Sequence, residues 1–198
     1  MKNPATFSGR TFDLPLETNN YWQRRAHHDL YRLTVALAHG LFSDAKSIID
    51  VGCYTSGLIV ELDWATRRVA SDINPNISEA WAHVEGVDFV PGDAFKLDFG
   101  EPFDLVLSNQ TVEHVEDARG FVEKLLSLGR GLIISTTYET AHGRIEGHIQ
   151  DPISLDKFKS WFPCELDSYA ICYHPTARDI GHIIGVVKQS HPNRDKVR

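Results

Sequence analysis

The sequence predicts an α/β chain: a three-layer sandwich built on a mostly parallel, seven-stranded, doubly wound sheet with an antiparallel edge strand. Three observations predict it. Short runs rich in β-branched residues recur between helix-patterned stretches, the pattern of strands joined by crossover helices. The first run, Ser47-Ile48-Ile49-Asp50-Val51, ends in an acid and then a small-residue turn, Gly52-Cys53-Tyr54-Thr55-Ser56-Gly57. The last two runs, Leu166 to Tyr173 and His182 to Lys188, are joined by too few residues for a crossover helix, so they should pair antiparallel.

The elements follow in order. Residues 1–18 read as an irregular lead punctuated by Pro4, Gly9 and Pro15. Trp22, Ala26, Leu30, Leu33, Leu37 and Leu41 then recur at helical spacing, predicting one helix over about 19–42. After the first strand, Leu58 to Leu62 opens a short helix. Arg67 to Ile73 is a second strand, which Pro75 stops from continuing as an inner strand. A helix around 76–83 leads to a third strand, Val87 to Val90, closed by Pro91-Gly92-Asp93. Phe103 to Ser108 is the fourth strand. Ala118, Phe121, Val122, Leu125 and Leu126 mark the next helix, ended by Gly129. Leu132 to Thr137 is the fifth strand. The glycines, proline and histidines of 142–152 make a loop, and Ser154 caps a short helix through Trp161.

A chain of 198 residues can bury a full core, and residues 1–190 are expected to form a single domain, followed by a polar tail at 191–198. Net charge is −7, with 42% hydrophobic residues. That acidic balance disfavours non-specific nucleic-acid binding. Cys53, Cys164 and Cys172 give neither an even framework nor a CxxC pair, which fits reduced thiols and a cytoplasmic location. No stretch reaches the length of a membrane span, and no signal pattern opens the chain. Ten histidines are present, but His27 and His28 are adjacent and no HxxxH or HExxH pair occurs, so no metal is expected.

Three acids close three successive strands: Asp50, Asp72 and Asp93. In a doubly wound sheet those ends face one crevice. Asp72 follows Asp50 by 22 residues (72 − 50), the place where a carboxylate accepts both hydroxyls of a ribose in nucleotide-binding sheets.

These segments resemble the S-adenosylmethionine-dependent methyltransferases of the class I, Rossmann-like fold, small-molecule type, over roughly residues 20–188. Ile49-Asp50-Val51-Gly52-Cys53 looks like their glycine-rich first motif, with Tyr54 and Ser56 standing where the family usually has glycine. Ser71-Asp72-Ile73 is similar to the second motif, and Gly92-Asp93-Ala94 to the adenine-contacting segment. The most specific match is Phe103-Asp104-Leu105-Val106 through Asn109-Gln110-Thr111-Val112-Glu113-His114-Val115. The resemblance implies S-adenosyl-L-methionine as cofactor. It puts Asp50 and the Gly52–Cys53 backbone near the methionine part, Asp72 on the ribose and Ile73 against the adenine face. It puts Asp93 and Ala94 at the adenine amino edge, Asn109 near the methionine through its backbone, and Tyr21 on a helical lid (about 19–42).

The implied reaction is methyl transfer to an oxygen or nitrogen of a small-molecule acceptor, such as a metabolite, natural product or sugar intermediate. The sulfonium already activates the methyl, so the protein must mainly align an acceptor and exclude water. Where a base is needed, Glu113 and His114 after the fourth strand and His148 on the 142–152 loop are the candidates, since an imidazole titrates near neutral pH. Two other readings stay open. One is a cofactor-binding domain without transfer activity, favoured by Tyr54. The other is a nucleic-acid methyltransferase, disfavoured by Ser108-Asn109-Gln110-Thr111, which lacks the proline-containing motifs of those enzymes. A second copy could complete the acceptor pocket, as a homodimer.

Overall fold

Branched residues form the strands and place alternate side chains on opposite sides of the sheet. The computed structural model describes residues 5–7, 10–12, 16–177 and 179–188. The polar tail expected at 191–198 lies outside the described residues. Strands β1 (Ala5–Phe7) and β2 (Arg10–Phe12) pair as a small antiparallel ribbon inside the stretch expected to be irregular. Helices α1 (Leu16–Arg25) and α2 (Asp29–Phe42) follow. The main sheet contains β3 (Ser47–Val51), β4 (Arg67–Asp72), β5 (Asp88–Pro91), β6 (Leu105–Asn109), β7 (Gly131–Tyr138), β8 (Ser168–Tyr173) and β9 (Gly181–Lys188). Helix α3 (Ser78–Trp81) precedes β5, α4 (Ala118–Leu128) links β6 to β7, and α5 (Leu155–Ser160) precedes β8.

The seven strands lie in the order β5-β4-β3-β6-β7-β9-β8. The first five in that order pair in parallel, and β9 runs antiparallel to both β7 and β8, so the expected antiparallel pairing is at the β8 edge. The chain reverses its strand order between β3 and β6, where such sheets open a crevice.

Three layers follow from the pleat. Ile48, Ala70, Leu105, Leu107, Ile133 and Ile184 pack on one side with Trp22, Leu30, Tyr31 and Phe42 of α1 and α2. Their neighbours Ile49, Val69, Val106, Leu132, Ile134 and Ile183 pack on the other side with Phe121, Val122 and Leu125 of α4 and Phe158 of α5. Adjacent residues of one strand therefore belong to different cores.

The helix expected over 19–42 is two helices. At His28 the backbone is extended, with φ −66° and ψ 141°, and α2 restarts at Asp29. Histidine and aspartate are weak helix formers, so a break there costs little. The restart also turns α2. Its buried residues are Leu30, Tyr31, Thr34, Ala38 and Phe42, while Leu33 and Leu37 are half-buried and Leu41 is exposed. The first crossover is a 3₁₀ turn, Gly57–Glu61, opened by Ser56, whose Oγ accepts from Leu58 N. Ser154 caps α5 as expected, its Oγ accepting from Lys157 N. Among the described residues no helix is long and apolar enough to cross a membrane.

Candidate active site

The carboxyl ends of β3, β4, β5 and β6 surround a cavity of about 490 Å³. Its wall includes Gly52, Asp72, Ile73, Asp93, Ala94 and, from α1, Tyr21. The turn after β3 is tight. Gly52 has φ +78°, and a Cβ there would run into the Thr111 side chain. Glycine is the residue that meets both demands. The Gly52 and Cys53 amides both donate to Ser71 O, at 2.8 and 3.1 Å, which fixes the turn against β4.

Asp72 organises the β4 end. Its Oδ2 accepts from Tyr54 N at 2.7 Å and its Oδ1 from Asn74 N at 2.9 Å. Each oxygen keeps a further lone pair for a ligand. Beside it, Ile73 is 72% exposed on the cavity wall, an apolar side chain without cover. Phe95, also on this wall, is exposed as well. Asp93 caps the turn after β5, accepting from Phe95 N and pairing with Lys96 at 3.1 Å, and the Lys96 contact holds its carboxyl below the usual value. A carboxylate, two uncovered apolar side chains and a glycine turn fit an adenosine.

A second cavity of about 310 Å³ adjoins the first and shares Tyr21, Gln110 and His114 with it. Glu113, His148, Tyr31 and His182 also line it. Gln110 sits in the left-handed region (φ 53°), and its buried Nε2 has no partner among the described residues.

Glu113 and His114 lie on the 3₁₀ turn Val112–His114, just after β6. Glu113 is fully buried. One carboxyl oxygen accepts from Thr136 Oγ1 at 3.0 Å, and the other has no partner among the described residues. Burial pushes its carboxyl up to about 8. The 142–152 loop brings His148 to this place, its ring edge-on to His114 with centroids 4.7 Å apart. His148 Nδ1 lies 2.9 Å from Asp151 Oδ2, and Thr137 Oγ1 donates to Asp151 Oδ1 at 2.5 Å. Burial lowers the His148 value, and Asp151 opposes that. Burial also takes His28 and His182 down to about 4, with neighbouring histidines adding to it.

Residues 49–129 match the protein family described as "Methyltransferase domain". The match runs from β3 through α4, the stretch that holds the glycine turn, Asp72, Asp93 and Glu113. Solved structures resemble most of the chain's fold. The N-methyltransferase NodS from Bradyrhizobium japonicum WM9, in complex with S-adenosyl-L-homocysteine, superposes with a TM-score of 0.66 at 14% identity, over 85% of this chain and 91% of that one. Magnesium protoporphyrin IX methyltransferase ChlM from Synechocystis PCC 6803, with bound S-adenosyl-L-homocysteine, gives 0.61 at 19% identity, over 80% and 81%. The [4+2]-cyclase SpnF gives 0.64 at 14% identity, over 85% and 82%. No curated protein sequence matches this one.

The residues expected at the site fall into three groups. Tyr21, Gly52, Asp72, Ile73, Asp93 and Ala94 line the larger cavity. Glu113, His114 and His148 meet at the smaller one, with His114 on both. Asp50, Cys53 and Asn109 line neither. Asp50 is buried one residue below Val51, its Oδ1 without a partner among the described residues, and burial followed by the neighbouring Asp72 charge pushes it up to about 7. Cys53 turns its thiol inward toward Tyr54 O. Asn109 Oδ1 accepts from Ser135 Oγ at 2.9 Å and Thr34 Oγ1 at 3.2 Å, tying β6 to β7 and α2. Tyr54 (φ 43°) places its ring at the rim, edge-on to Tyr21 at 4.9 Å, instead of across the floor. Sequence reasoning missed Gln110, Thr111 and Asp151. The signal for Asp151 was an acid three residues after a histidine, hidden in a stretch read only as loop punctuation.

Proposed function

We propose that the chain transfers a methyl group from S-adenosyl-L-methionine to an oxygen or nitrogen of a small-molecule acceptor. The observation that carries this reading is the pairing of two cavities through Tyr21, Gln110 and His114: one suited to an adenosine, one lined by ionisable groups. The cofactor supplies a methyl already activated by positive sulfur, so an acceptor lone pair can take the carbon while the sulfur keeps the electrons of the broken bond.

The chain's own residues supply binding, alignment and proton handling. Asp72 would hold the ribose hydroxyls, Ile73 and Phe95 the faces of the base, and Asp93 with Ala94 its polar edge. Tyr21, which lines both cavities from α1, would roof the junction, the lid role expected of that helix. His148 is the proton acceptor. Asp151 can only accept from Nδ1, which leaves the lone pair on Nε2. Holding the acceptor in line supplies up to roughly 7–11 kcal/mol of the barrier.

Small acceptors are favoured by the modest size of the second cavity, about 310 Å³, and by the chain's acidic balance. Calorimetry with S-adenosyl-L-homocysteine tests the cofactor, and release of S-adenosyl-L-homocysteine over a panel of hydroxyl and amine acceptors tests the transfer. Saturable one-to-one binding with turnover supports the reading, and absence of binding ends it. Binding without turnover over a broad panel would favour a regulatory domain.

A further inference from the structure

We propose that Glu113, His114 and His148 bind one divalent first-row transition-metal ion, which takes a hydroxyl oxygen of the acceptor as a further ligand. This rests on the methyltransferase reading above and narrows its acceptor to oxygen.

The cluster has the composition and the support of a metal site. One ligand atom from each of the three side chains lies within 4.8 Å of the other two. Two imidazoles and one carboxylate are the donor set that first-row divalent ions favour over magnesium or calcium. Three protein ligands also leave positions open for a substrate oxygen.

Both imidazoles are held through Nδ1. His114 Nδ1 lies 2.9 Å from Gly147 O, and His148 Nδ1 lies 2.9 Å from Asp151 Oδ2. A carbonyl and a carboxylate only accept, so both Nδ1 atoms carry hydrogen and both Nε2 atoms carry lone pairs. Carboxylate–histidine–metal and carbonyl–histidine–metal relays have this form. Thr137 extends the relay by a third bond, to Asp151.

The independent observation is Glu113. Its side chain is fully buried, lines the smaller cavity, and keeps one carboxyl oxygen without a partner among the described residues. Burying such an atom carries a desolvation cost unless something satisfies it. An ion between Glu113 and the two imidazoles would do so. A hydroxyl bound to that ion would lose its proton to solvent far more readily than a free one, because the ion stabilises the oxyanion. In the loaded site the ion takes over the lone pair of His148 and with it the task of deprotonation.

The test uses the full chain without an affinity tag, stripped with chelator and titrated with Co²⁺ while the visible ligand-field bands are followed. One ion per chain is expected. Glu113→Gln and His148→Gln should each weaken Co²⁺ binding by ten-fold or more, and Asp151→Asn by about 10- to 100-fold through the relay. Absence of saturable bands in the unaltered protein overturns the proposal, whatever the variants do. Equal binding by the variants overturns it too, since the ion would then sit elsewhere among the histidines. S-adenosyl-L-homocysteine calorimetry on the same samples separates the two readings. Cofactor binding without Co²⁺ binding removes only the metal, and Co²⁺ binding without cofactor binding removes only the transferase.

Discussion

His148 Nδ1 and Asp151 Oδ2 stand 2.9 Å apart with side chains only 6% and 0% exposed, so a sealed carboxylate sets which ring nitrogen of His148 is left for the smaller cavity. The i,i+3 pair lies on a loop, where backbone alone would not hold a ring in place. Thr137 on β7 anchors the acid, and through it the loop, to the sheet.

Asp151→Asn keeps the volume but presents an amide that can donate, which allows the other tautomer of His148. The expected result is a fall in kcat of about 10²–10⁴, the usual worth of a positioned acid–base group. The KM for cofactor should be unchanged, because Asp151 does not touch the larger cavity. Steady-state kinetics with a responsive acceptor checks both halves.

Asp72→Ala removes the only carboxylate that fixes the Tyr54 amide on the wall of the larger cavity, among the described residues. Affinity for S-adenosyl-L-homocysteine should drop by about 1–3 kcal/mol, the loss of a charged hydrogen-bond partner. Calorimetry reads it, and unchanged affinity would remove Asp72 from the cofactor's contacts.

Gly52→Ala adds a Cβ at φ +78° against Thr111. Strain of this kind costs about 1–3 kcal/mol. The midpoint of urea unfolding should fall accordingly. Trimming the obstacle with Thr111→Ala in the same chain should recover part of the loss but not the share due to φ.

Asp50 gives a pH dependence with a definite sign. Its carboxyl is raised to about 7 in the folded chain, by burial first and by Asp72 second. The folded state therefore holds this proton more tightly than the unfolded chain, where the value is about 3.9. The stabilisation is complete below about pH 4 and is lost as pH rises through 7. Between pH 5.5 and 8 Asp50 and Glu113 favour the lower pH and the depressed His28 and His182 oppose them, so the Asp50 share is read by comparing urea unfolding of the protein with that of a variant. Asp50→Asn, which cannot titrate, should gain less stability, or lose more, than the unaltered protein on going from pH 8 to pH 5.5.

Much of this site was legible because strand ends are. Asp72, Ile73, Asp93 and Ala94 each follow a run of branched residues, and a parallel sheet sends such ends to one crevice. The meeting of Glu113 and His114 with His148, more than thirty residues later, was legible as loops after adjacent strands. The partner of His148 was not, because hydrogen-bond partners are chosen by loop closure and not by periodicity. Asn109, expected near the methionine through its backbone, turns its side chain into the core toward Thr34 and Ser135, a pairing that the sequence does not show. The single helix over 19–42 failed at His28 because the apolar stripe carries on across the break, so spacing alone could not show that the backbone had left the helix.

Tyr21 and Trp22 are neighbours with opposite fates: one lines both cavities and the other is sealed in the core. Swinging α1 outward would drag the indole into water, at a cost comparable to the ~3–5 kcal/mol of deleting such a side chain. A molecule with its roof raised would then be rarer than about one in a hundred. Traffic into and out of the site should accordingly run past the rotating rings of Tyr21 and Tyr54, and its speed should respond to their size more than to the stiffness of the turn at His28.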